Sequence, residues 1–187
     1  MSAATDFAAA AQALAGALRA SAVNPADAIR LLSDLANVVP AGPTSPSAIG
    51  MAMAAMQGAT GDLFRRAAVL ALARASADYL PTSSDDAAAV RTTVCAVLDR
   101  EIGIAGDQGQ DATFNALRAV RVAVSRDLAA RGADLASITT VATGLPIPAP
   151  VLAQRLYRDP ARADELVAQA NPVHPAFMPV SFNALSK

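Results

Sequence analysis

The chain has 187 residues, enough for one good hydrophobic core or for a main domain with a small appendage. Apolar residues make up 53%, aromatics only 4% and charged residues 17%, so the core must come from closely approaching, alanine-rich helices and not from aromatic anchors. A net charge of −1 without a basic stripe argues against a dedicated nucleic-acid binder, and the single Cys95 excludes an internal disulfide framework.

Thr5 and Asp6 can cap a first helix running to about Ala20. The apolar start carries Asp6 and lacks a basic leader, so no signal peptide is expected. Asn24-Pro25 is a sharper start: asparagine accepts from free amides, and proline at the first helical position loses no bond. Ile29, Leu32, Leu35 and Ala36 then share one face, and the helix should stop at Val39-Pro40. The segment Pro40 to Pro46, with three prolines and a glycine, reads as a linker.

A long helix is expected from there to about Tyr79. Gly50, Ala54 and Gly58 fall at intervals of four, a small-residue face suited to close backbone approach, and Met51, Met53 and Met56 add adaptable apolar surface. Those methionines fit a local core and a partner-facing surface equally well. Each glycine costs about 1 kcal/mol of helix propensity, so a break near Gly58 to Gly61 is plausible. From Leu63 to Ala77 the helix is apolar on nearly every side except at Arg65, Arg66 and Arg74, which makes it central. Asp62, Arg65 and Arg66 also interrupt the longest apolar stretch, so no membrane span is expected.

Ser84 should cap a helix whose first turn holds Asp85 and Asp86, with Val90, Val94, Val97 and Leu98 as its core stripe. A loop from Gly106 to Gln110 leads to Asp111 as the next cap. That helix should bury Phe114, Leu117, Val120, Val124 and Leu128 and end at Gly132, and the short loop makes the two an antiparallel hairpin. After Gly132 the texture changes. Ile138 to Val141 is a β-branched run and the first good strand candidate. Short helices are expected over 151–157 and 161–169, split by Asp159-Pro160, then a loop with three prolines (171–179) and a strand at Val180 to Phe182. The fold class is therefore mainly α: a helical bundle over residues 1–132, followed by a small α+β module of strand-helix-helix-strand order over 133–187.

The run Leu152 to Val167 (LAQRLYRDPARADELV), followed by Asn171, His174-Pro175-Ala176-Phe177 and Pro179, resembles a lysin-motif (LysM) pattern. The same stretch, together with Gly58 to Ala68 (GATGDLFRRAA) and the helix hairpin, is similar to the C-terminal part of the Mu-like phage DNA-circularisation protein family, over roughly Asn24 to the end. The resemblance implies a virion component encoded among tail and baseplate genes. Its partners would be hub, tube, spike or wedge proteins, in a multimeric assembly built in the host cytoplasm and ending in the tail baseplate. It also implies that the LysM-like module acts as glue between virion proteins. Two alternatives remain open, a factor that binds phage DNA ends and a peptidoglycan-binding module. The separate N-terminal domain usual in the family has no counterpart here, and the last strand reads Val180-Ser181-Phe182-Asn183-Ala184-Leu185 in place of Pro-Gly-x-x-Leu, which weakens glycan binding.

The chemistry of a reactive site is hard to assemble. Cys95 and His174 are alone of their kinds, Cys95 on an apolar helix and His174 in the proline-bounded loop, so neither a catalytic set nor a zinc site is expected. Asp107 to Asp111 weakly resembles a calcium loop but lacks the later bidentate glutamate. Asp99 and Glu101 diverge by about 200° on a helix and are no acid/base pair. No glycine-rich phosphate loop follows a strand, so no cofactor is expected. Arg65-Arg66 reads first as a solvated or ion-paired helix face and second as a grip on an anion, and Arg118 with Arg121 as a rim. The expected partner contacts are Gly50, Met51, Met53, Met56, Arg65, Arg66, Arg118 and Arg121, with Tyr157, Asn171, His174 and Phe177 in the module.

Overall fold

The computed structural model describes residues 3–39, 41–42 and 45–186. Its elements are α1 (Ala3–Ser21), α2 (Pro25–Ala36), α3 (Ala48–Asp78), α4 (Ser84–Asp107), α5 (Asp111–Ala133), β1 (Ile138–Ala142), α6 (Ala149–Tyr157), a 3-10 turn (Pro160–Arg162), α7 (Ala163–Ala170) and β2 (Ser181–Leu185). The molecule is mainly helical, a bundle with a small α+β module. No helix among the described residues is long and apolar enough to cross a membrane. The chain divides into two compact units, one of Met1–Leu80 with Ala89–Ala130 and one of Pro81–Ala88 with Arg131–Lys187.

In the larger unit, Leu32, Val69, Leu72, Val94, Leu98 and Leu128 are fully buried, with Ala11, Ala15, Ala28, Ala67, Ala68 and Ala75 between them. The small side chains let helix backbones approach, and the leucines supply most of the apolar area that leaves water. α2 begins as its sequence dictates: Asn24 Oδ1 accepts from Ala26 N at 2.9 Å and Pro25 takes the first helical position. The helix ends at Ala36, earlier than Val39. Of the linker, Pro40, Pro43 and Thr44 lie outside the described residues; 41–42 and 45–46 have no regular structure.

Several expected boundaries move, each for a local reason. α1 starts at Ala3, which places Thr5 and Asp6 inside its first turn and not at the cap. α3 runs unbroken through Gly58 to Gly61. Glycine weakens a helix but keeps its amide donor, and the buried stretch from Ala67 to Ser76 anchors the helix against the core. The cap of α4 is Ser83, one residue before the expected Ser84; its Oγ accepts from Asp86 N at 3.0 Å, while Asp86 Oδ2 accepts from Thr82 N at 2.8 Å. α4 closes in a glycine turn in which Gly109 (φ 66°) allows Gln110 N to reach Ala105 O at 2.9 Å. α5 then opens with Asp111 inside the helix, and the capping carbonyl is that of Gln110, accepting from Phe114 N at 2.9 Å.

In the smaller unit, β1 and β2 pair antiparallel in the register Ile138↔Leu185 to Ala142↔Ser181. The second strand is longer than the expected Val180 to Phe182. It alternates cleanly, with Phe182 and Ala184 inward among Leu152, Leu166 and Met178, while β1 keeps only Val141 half-buried. α6 ends on Arg158 in the left-handed region (φ 59°), after which Asp159 Oδ1 accepts from Ala161 N at 2.9 Å. Gly132 is not a C-terminal glycine, since α5 continues to Ala133. It is glycine because a Cβ there would stand 2.7 Å from the Ala87 Cβ.

Candidate functional site

Among the described residues the most heavily bonded polar cluster lies in the larger unit. On α4, the buried positions Val94, Leu98 and Ala105 recur at helical spacing, and Glu101 falls on the same face, 1% exposed. A carboxylate there has to be paired. Glu101 Oε2 accepts from Arg65 Nε at 2.5 Å and Oε1 from Arg66 Nε at 2.8 Å. Arg65 also donates to Asp62 Oδ1 at 2.7 Å, and Arg66 donates to Gln110 Oε1 at 2.6 Å and Gln108 Oε1 at 2.8 Å. Gln108 closes the circuit by donating to Asp62 Oδ2 at 2.7 Å. Burial opposes the charge on Asp62, but the bonds from Gln108 and Arg65 and the neighbouring guanidinium charges outweigh it and hold that carboxyl below its ordinary range. For Arg65 burial again opposes the charge, and the bonds to Glu101 and Asp62 reverse the balance and raise its pKa.

This circuit uses the donors that would have met an anionic partner. Arg65 and Arg66 are ion-paired internally, and what they hold is the α3–α4 contact and the turn before α5. Arg121 is likewise paired with Asp99, and Arg118 lies 5.5 Å from the centre of the Phe114 ring. Sequence reasoning missed Glu101, Gln108, Gln110 and Asp62 as members. The available signal was one acidic residue on an otherwise apolar helical stripe.

The first half of α3 is the reverse case. From Ala48 to Thr60 no residue is charged, and no buried residue occurs except Gly50. Ile49, Met51, Met53 and Met56 are each more than half exposed. Gly50 is covered by the incoming chain: a Cβ there would meet Ser45 O at 2.5 Å, whereas around Gly58 there is nothing within 4 Å. Among the described residues no helix packs closely on the Gly50–Ala54–Gly58 face, and the methionines are surface and not local core. The uncharged run extends from Leu35 to Gly61, a feature readable from composition alone.

In the smaller unit the expected contacts divide. Tyr157 Oη donates to Leu185 O at 2.9 Å, and the Arg162 guanidinium lies 3.8 Å above its ring while gripping Glu165 through two bonds of 2.7 Å. Burial, with the Glu165 charge, raises the Tyr157 pKa against the opposing pull of Arg162. Asn171 ends α7 in the left-handed region (φ 42°). The His174 Nδ1 accepts from Ala176 N at 3.0 Å. Tyr157, Asn171 and His174 thus have internal roles, and Phe177, 70% exposed with its ring centre 6.2 Å from that of His174, is the open one. Cys95 is buried in α4. Among the described residues no group of three or more His, Cys, Asp or Glu could hold a metal ion. No protein-family model and no curated protein sequence matches the chain.

Proposed function

We propose that this protein is a structural subunit of a contractile phage tail, joining hub, tube, spike or wedge proteins of the baseplate through helix faces and the LysM-like module. The observation that carries the reading is the charge-free first half of α3, standing in solvent with apolar residues on its sides. A helix apolar all round is ordinarily a buried one, so a surface of this kind implies company in an assembly. The choice of assembly comes from the resemblance of 58–68 and 152–179 to the phage family. Mass spectrometry of purified tails tests it: the chain should appear in fixed ratio to baseplate proteins, and its absence from clean virions would refute the assignment.

A second reading is favoured by one observation. Phe177, with Val173 and Leu145, leaves apolar side chains exposed on the loops around the module, a surface on which a sugar ring could stack. Retention of the full chain on purified peptidoglycan, lost in Phe177→Ala, would support glycan binding. The DNA-end-binding alternative has less behind it, because Arg65, Arg66 and Arg121 are all bonded to carboxylates. A salt titration of DNA affinity tests it, since phosphate contacts give a steep loss with salt.

A further inference from the structure

The outer edge of β1 is open. Ser186 N donates to Ser137 O and Thr143 N to Val180 O, each at 2.7 Å, so the odd-numbered residues along β1 are the ones that bond to β2. Ile138, Thr140 and Ala142 turn their backbone groups the other way. Ile138 N donates to Asp85 Oδ2 at 2.5 Å. Among the described residues, Ile138 O and the N–H and C=O of Thr140 and Ala142 meet no protein partner, and Thr140 and Ala142 are both exposed. β2 differs: Leu185 O accepts from Tyr157 Oη at 2.9 Å, and α7 packs against the strand.

We infer that β1 is a docking edge for an extended segment of another polypeptide, which adds to the sheet as a third strand and brings an arginine or lysine to Asp85. The first argument is geometry. Donors and acceptors on a strand edge repeat about every 7 Å, and an extended backbone offers the matching row. A helix has its backbone groups bonded internally, and a nucleic-acid backbone offers acceptors without alternating donors. The second argument is the lack of protection. Edge strands are ordinarily blunted by charge, proline or a bulge, yet Ile138-Thr139-Thr140-Val141-Ala142 is uncharged, proline-free and paired with β2 in unbroken register. The third is charge. Asp85 is exposed and occupies the edge at Ile138, so a strand laid along β1 ends against a carboxylate. That end selects a cation. It also disfavours a second copy, because 132–154 holds no basic residue and carries Asp134, so another β1 would bring only acid.

This inference rests on the reading of the module as a joint between proteins, but not on the assignment to a tail. The probe is a displayed library of random seven-residue peptides, selected on the purified full chain and counter-selected on its Thr140→Pro variant. Proline removes the outward amide and leaves the β1–β2 bonds in place. Enriched peptides should alternate β-branched or aromatic residues, carry arginine or lysine at one end and bind with Kd of about 1–100 µM. Thr140→Pro should weaken them by about tenfold or more. Asp85→Asn keeps an acceptor for Ile138 N and should weaken only peptides with the terminal cation, by about two- to fivefold. In amide hydrogen exchange of the wild type, Thr140 and Ala142 should exchange fast in the free chain and slow when peptide is bound, with Thr139 and Val141 protected throughout. No enrichment, binding that Thr140→Pro retains, or bound peptide that leaves those two amides fast overturns the inference. So does their protection in the free chain rising with its concentration, because a second copy then holds the edge. A chain that binds such peptides yet is missing from virions sinks the tail assignment alone, and one found in virions that binds none sinks this inference alone.

Discussion

Replacing Glu101 by glutamine is the sharpest probe of the buried circuit. The substitution keeps the shape of the side chain, removes its charge and turns one acceptor into a donor facing an arginine Nε. In the native protein the carboxylate accepts one charged bond from each arginine and has almost no access to water. Breaking a fully buried pair by removing one partner costs about 3–5 kcal/mol. The lower end applies, because Arg65 keeps Asp62, and Arg66 keeps the carbonyl oxygens of Gln108 and Gln110. A loss of about 3 kcal/mol should lower the thermal midpoint of the protein by roughly 6–12 °C and the urea midpoint by about 1–3 M. The paired control is Glu165→Gln. The Arg162–Glu165 bond has similar length but about a third of each side chain in solvent, so its loss should cost no more than about 1 kcal/mol. Both are read by urea melts followed by circular dichroism. Equal effects, or a change under about 0.5 kcal/mol for Glu101→Gln, would show that burial of the carboxylate does not set its importance.

The glycines make an independent set. Gly58→Ala meets open space in a helix and should stabilise by about 0.5–1 kcal/mol in the same urea melts, whereas Gly50→Ala drives a methyl into Ser45 and should destabilise. Gly132→Ala places its Cβ 2.7 Å from that of Ala87, and an overpacking cost of about 1–3 kcal/mol should exceed the propensity gain; Ala87→Gly should restore part of the loss, and an unchanged double variant would contradict the steric reading. Asp62 supplies the pH dependence. Its folded pKa lies below its ordinary value of 3.8, so its contribution is complete above that value and fades as pH falls through the lowered one. Asp62→Asn should therefore flatten the acid limb of the stability profile while leaving the neutral-to-basic limb unchanged in slope, a difference measurable by urea melts between about pH 2 and 6.

How much of this was legible depends on whether the determining contact was local. Asn24-Pro25 announces its helix because cap and amide are two residues apart, and the β-branched run at Ile138 announces its strand for a similar reason. Ser83 and Ser84 could not be told apart by residue type, and only the backbone geometry selects the first. Gly132 looked like a helix end, yet the reason for glycine there lies forty-five positions earlier, at Ala87. Arg65 and Arg66 read as a solvated or ion-paired helix face before an anion grip, and on their own helix only Asp62 answers them. Their main partner is on α4, and recognising it required noticing that Glu101 shares a stripe with Leu98 and Ala105.

Helical periodicity, caps and the strand-helix-helix-strand order follow from interactions within a few residues, so the chain alone determined the class of fold and most element positions. Tertiary structure decided which charged and small residues are internal and which face water. That decision depends on contacts between elements remote in sequence: a carboxylate withdrawn from solvent collects two arginines, while a run of methionines that no helix packs over is left exposed at the surface. Burial is a property of the packed molecule, and it separated the arginines, which hold the bundle together, from the first half of α3, which remains free to meet another molecule.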